Sequence, residues 1–82
     1  MDLVKFTEEI VLSLVEDKDI VAVKEFEADN DKEILIEVMI SEQDMPRVIG
    51  KNGKVINSIR TIVQASSYLK DNKNVKINID SI

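Results

Sequence analysis

Apolar residues recur along this chain with two different periods. Over residues 2–17, Leu3, Phe6, Ile10 and Leu14 fall at helical spacing, joined by Val4, Val11 and Val15. That broad stripe predicts an amphipathic helix with one buried face. Asp2, Glu8 and Glu9 lie toward its start, and Asp17-Lys18-Asp19 supplies its stop. Residues 20–27 (IVAVKEFE) and 33–40 (EILIEVMI) predict two strands around a polar turn, Ala28 to Lys32. In the second strand Ile34, Ile36, Val38 and Ile40 share one face, while Leu35 and Met39 make the other partly apolar. The two strands form a hairpin, and the second is apolar enough to be central in its sheet. Phe6 and Phe26 both fall on expected core faces.

After the connection Ser41 to Asp44, a short helix opens at Met45-Pro46, with Asp44 as its cap, and ends at Gly50. A longer helix is expected from about Gly53 to Leu69, carried by Val55, Ile56, Ile59, Ile62 and Val63. A polar loop covers Lys70 to Asn74. Val75, Ile77 and Ile79 then alternate with Lys76, Asn78 and Asp80, which predicts a half-buried last strand. The order is α-β-β-α-α-β. A strand followed by two helices and a strand is a crossover, so the last strand should run parallel to the second and beside it. The expected fold is α+β, a three-stranded mixed sheet with three helices on one face. Glu37, Lys76, Asn78 and Asp80 belong to the open face.

Composition narrows this reading. Eighty-two residues suffice for one domain, expected to span residues 1–82. With 12 Ile and 10 Val against 5 Leu, β-branched residues favour a sheet over a helical bundle. No apolar run approaches the ~20 residues of a membrane span. The first residues lack the layout of a secretory signal, and a chain without cysteine needs no oxidising compartment; a cytoplasmic protein is expected. The net charge of −5 is unevenly distributed. Residues 1–44 carry 14 acids against 4 lysines, whereas residues 45–70 hold Arg47, Lys51, Lys54, Arg60 and Lys70 with no acid.

The acid-free run contains both glycines of the chain, in Ile49-Gly50-Lys51-Asn52-Gly53-Lys54. Glycine admits left-handed backbone and close approach of a ligand to the main chain. Unpaired amides and a positive dipole end open the following helix, so a phosphate has a place to dock, with Lys51 and Lys54 beside it. Flanking apolar residues offer a shelf for a base. Catalysis has little to work with, since histidine and cysteine, the commonest base and nucleophile, are absent. The neighbouring acids Glu8/Glu9 and Asp17/Asp19 read as solvated surface. Asp29-Asn30-Asp31 lacks the glycine and distal glutamate of a calcium loop. The glycine segment also lacks the spacing of a nucleotide-binding P-loop. No enzyme, cofactor, metal or small-molecule substrate is expected.

The element order and the segment Val48 to Ile56 resemble the KH domain in its type II arrangement, over essentially the whole chain. The length, the acidic first helix and Asp44-Met45-Pro46-Arg47-Val48-Ile49-Gly50 resemble the small stand-alone bacterial members of that family, the KhpA-like proteins. The resemblance implies binding of single-stranded RNA, about four nucleotides held by the Gly-x-x-Gly loop. By it, Gly50, Lys51, Asn52 and Gly53 would hold the sugar-phosphate backbone, and Arg47 and Lys54 would neutralise phosphates. Ile49 and Ile56 would line the base groove, and Lys70 to Asn74 would be the variable loop. It further implies an RNA chaperone, a homodimer or a heterodimer with a larger KhpB-like KH protein, and a role in cell-wall homeostasis and cell length. A net acidic surface argues for weak, focused binding. The rival reading is a protein–protein module in which Met45, Val48 and Ile49 contact a partner.

Overall fold

The structure, a computed structural model, describes residues 2–82. The first helix, α1 (Leu3–Leu12), is opened by Asp2, whose Oδ1 accepts from the amides of Val4 (2.9 Å) and Lys5 (3.4 Å). It buries Leu3, Thr7 and Val11, one residue per turn, and the Thr7 hydroxyl donates to the Leu3 carbonyl at 2.7 Å. The helix is shorter than the stretch 2–17 expected from periodicity, for a long-range reason. The amides of Glu16 and Asp17 donate to the two carboxylate oxygens of Asp44, at 3.1 and 3.0 Å. Lys18 Nζ meanwhile satisfies the carbonyls of Leu12 and Val15. The chain leaves the helix with its end groups paired elsewhere.

β1 (Ala22–Glu27) and β2 (Glu33–Ile40) form the expected antiparallel hairpin, and β3 (Asn74–Ser81) pairs with β2 in parallel. The sheet order is β1-β2-β3, with β2 central. Ile34, Ile36, Val38 and Ile40 are all buried, as strict alternation requires. They meet Val23 of β1, Ile77 of β3 and the helices α1, α2 (Met45–Ile49) and α3 (Lys54–Lys70) in one core. α3 is amphipathic and buries Ile56, Ile59, Val63 and Ser67.

Phe26 departs from its expected place. It is 48% exposed on the open face of the sheet. Val23 pairs with Val38 and faces the core, so Phe26, three residues on, must point the other way, beside its partner Leu35. Phe6 is half-buried and packs against the core, as expected. Asp44 also has a different task from helix capping. Its side chain makes no cap bond to α2; it is buried and holds the chain after α1 instead.

A candidate nucleic-acid interface

Between α2 and α3 the chain reverses within four residues. Gly50 (φ 77°, ψ 173°) ends α2, its amide donating to Pro46 O at 2.9 Å. Lys51–Gly53 make one tight turn, closed by the Gly53 amide on Gly50 O at 3.2 Å and the Lys54 amide on Lys51 O. Asn52 (φ 57°) and Gly53 (φ 76°) are both left-handed. The two glycines are needed for different reasons. A Cβ on Gly50 would lie 2.5 Å from Val55 Cγ2 and 2.8 Å from the Val55 backbone nitrogen. At Gly53 the nearest atom would be Asn57 Nδ2 at 3.5 Å, so only the backbone angle excludes a side chain.

Lys51, Asn52 and Lys54 are exposed, and neither lysine has an ion-pair partner among the described residues. Both cations therefore stand free where α3 presents its positive dipole end. The other expected site residues are placed differently. Arg47 Nη2 donates to Glu16 Oε1, and its Nε is 3.7 Å from Asp44 Oδ1, so two acids already balance its charge. Ile49 is half-buried beside the loop. Ile56 is only 5% exposed and belongs to the core, so it supports the loop from beneath and offers a base little surface. Val48, a contact residue in the protein–protein reading, is wholly buried and presents nothing to a partner.

The Asp44 carboxyl sits below the ordinary carboxylate pKa of 3.8. The amide of Glu16 is the largest cause, reinforced by the Asp17 amide and the charges of Arg47 and Lys18, against an opposing effect of desolvation. This ionised group fixes the chain after α1 against the base of α2, the helix that delivers Gly50.

Beyond the loop, α3 runs beside β3, and polar side chains bridge the seam between them. Arg60 spans its upper part, donating through Nη1 to Asn57 Oδ1 and through Nη2 to Ile77 O, both at 3.1 Å. Gln64 closes the next stretch, donating to Lys73 O (2.9 Å) and accepting from the Val75 amide (2.8 Å). Beside them lies an open hollow of about 470 Å³, bounded by Thr61, Ala65 and Tyr68. Asn57 and Gln64 were not singled out from the sequence, and Arg60 only as one cation of the acid-free run. Their spacing of three and four from Gly53 onward places them on one side of the helix that follows the loop.

This chain matches the family model described as KhpA/KhpB, KH domain, over residues 4–79. The chain belongs to the KhpA/KhpB family of KH domains. Among curated KH relatives, one from Clostridium acetobutylicum named RNA-binding protein KhpA is 38% identical over 72 residues, covering 88% of this chain and 92% of the relative. A Thermotoga maritima protein of the same name is 31% identical over 72 residues, covering 88% and 91%. Among solved structures, Era in complex with MgGDPNP and nucleotides 1506–1542 of 16S ribosomal RNA is similar in fold, with TM-score 0.68 and 23% identity. That likeness covers 96% of this chain and 29% of the Era chain. Order, sheet topology and the loop between α2 and α3 are thus those of a type II KH domain.

Proposed function

We propose that this protein binds single-stranded RNA, with the Gly-x-x-Gly turn clamping the backbone of about four nucleotides. One observation carries the proposal: the turn holds left-handed backbone that only glycine accommodates at Gly50, and two unpaired lysines flank it at the start of α3. Such a turn lets a phosphate approach main-chain amides directly. Gly50, Lys51, Asn52 and Gly53 hold the sugar-phosphate strand, Lys54 neutralises a phosphate, and Ile49 supports a base. Arg47 adds to the field while held by Glu16 and Asp44, and Ile56 fixes the loop from the core. The relatives named RNA-binding protein KhpA support this reading.

Binding rather than catalysis is the proposed activity, with the 82 residues acting as one KH unit in the cytoplasm. A four-nucleotide contact carries little sequence information, and useful affinity calls for a second module. We therefore propose pairing, with a second copy or with a larger KhpB-like KH protein. The wider role is that of an RNA chaperone in post-transcriptional control linked to cell-wall homeostasis and cell length.

The double substitution Lys51→Asp, Asn52→Asp tests the clamp. Retention of a single-stranded oligoribonucleotide should be abolished while circular dichroism and chain association stay as in the parent. Unchanged RNA retention would remove the loop from the site. With Lys51 and Lys54 as the phosphate contacts, the log–log salt slope of binding should be about −1.4. A flat response would exclude a charged clamp.

A further inference from the structure

Six asparagines lie along the chain, and only Asn52 is followed by glycine. Asn52 is exposed, and no hydrogen bond holds its side chain among the described residues. The side-chain oxygens of Asn30, Asn57 and Asn74 are engaged, by the Lys32 amide, Arg60 and Tyr68 respectively. Asn78 lies within β3, where pairing with β2 fixes the backbone. Asn72 is the nearest counterpart: it is exposed and left-handed (φ 54°), as Asn52 is (φ 57°), but Lys73 follows it.

We propose that Asn52 is a site of spontaneous deamidation. The Gly53 amide nitrogen, once deprotonated, adds to the side-chain carbonyl carbon Cγ of Asn52. The bond from Gly53 N to Cγ forms, the bond from Cγ to Nδ2 breaks, and ammonia leaves with the proton that Gly53 gave up. Water then opens the cyclic imide. Opening at one carbonyl gives aspartate; opening at the other gives isoaspartate, whose backbone runs through the side-chain methylene. Glycine favours the attack because it presents no Cβ beside the nitrogen and its backbone turns freely. Negative charge developing on that nitrogen has the unpaired cations Lys51 and Lys54 on either side in sequence, at the positive dipole end of α3. Asn52 must swing away from its ψ of 26° for the ring to close, so the turn has to open locally. The bond to be broken at the attacking nitrogen, Gly53 N to Gly50 O, is long, at 3.2 Å. Asn72 instead follows the negative end of α3, with Asp71 before it, and Lys73 puts a Cβ beside the nitrogen.

The product carries a carboxylate in the turn proposed to seat a phosphate, and isoaspartate also lengthens the backbone there. Both changes oppose a polyanion. The RNA-binding form of the turn therefore has a finite chemical lifetime, set by the same asparagine and glycine that shape it. That loss of binding rests on the RNA clamp proposed above; the covalent change does not.

Incubation of the full chain at mildly alkaline pH in heavy-oxygen water tests the site. Peptic digestion in acid, which stalls the reaction, and mass spectrometry of the peptides then locate the label. Asn52 should gain a heavy oxygen and lose its amide well before Asn72 does. Retention of a single-stranded oligoribonucleotide, measured on the same samples, should fall in proportion to the fraction converted. Freshly made Asn52→Asp, checked for folding by circular dichroism, should show the same loss without incubation. An Asn52 that converts no faster than Asn72 would overturn the proposal. Conversion at Asn52 with RNA retention unchanged would leave the modification site standing and remove the loop from the RNA site.

Discussion

Gly50 and Gly53 have nearly equal φ values, yet substitution should separate them. Gly50→Ala drives a methyl group into Val55, including its backbone nitrogen, and adds left-handed strain. We expect a loss of about 2 kcal/mol or more. Gly53→Ala meets no atom closer than 3.5 Å and should cost only the left-handed penalty, about 1 kcal/mol. Urea denaturation of the two variants gives the order; equal losses would mean that the Val55 contact is unimportant. Asp44 sets the acid limit. Its folded pKa is depressed, so its contribution is complete above the ordinary value of 3.8 and disappears as pH falls through the folded value. Asp44→Asn turns an amide donor toward at least one of the amides of Glu16 and Asp17. Its stability deficit should be greatest at neutral pH and shrink below pH 3.8. Parallel pH-dependent melts measure this, and a deficit that does not change with pH would remove the carboxylate charge from the account. The special role of both glycines was legible, because the chain has only two and places both in one turn. That of Asp44 was not, because its partners lie 27 and 28 positions away in sequence.

Among the elements, β2 was read correctly to the residue, since its four inward side chains alternate without exception. β1 was misread at Phe26 because both of its faces carry apolar residues, so the pattern does not fix which one is buried. α1 was read too long because its apolar stripe continues through Leu14 and Val15, beyond the helix end at Leu12 and up to the amides of Glu16 and Asp17 that Asp44 takes. Glycine, lysine and asparagine in the loop marked the candidate site, while the side chains that tie α3 to β3 depended on how that helix meets the strand. The Gln64 side chain joins those two elements at both Lys73 O and the Val75 amide. Gln64→Ala should therefore destabilise the protein by about 1–2 kcal/mol and speed amide hydrogen exchange at Val75. Unaltered exchange there would show that solvent replaces the side chain without loss.

At the scale of the whole molecule, the loops at the two ends of α3 are widely separated. The amide of Asn74 donates to Lys32 O at 2.8 Å, which sets the hairpin turn beside the loop that follows α3. The Gly-x-x-Gly turn lies at the opposite end of α3, a helix of 17 residues and so about 25 Å long. Glu27, Asp29 and Asp31 share the hairpin end with Lys32, and Lys51 and Lys54 lie at the other. Ala28 to Lys32 form an exposed turn, shaped by the Asn30 side chain accepting from the Lys32 amide at 2.9 Å. That remote tip is consequently a natural point of attachment. A fluorophore, a bead or a fused reporter grafted there would hang clear of any strand held at the far pole.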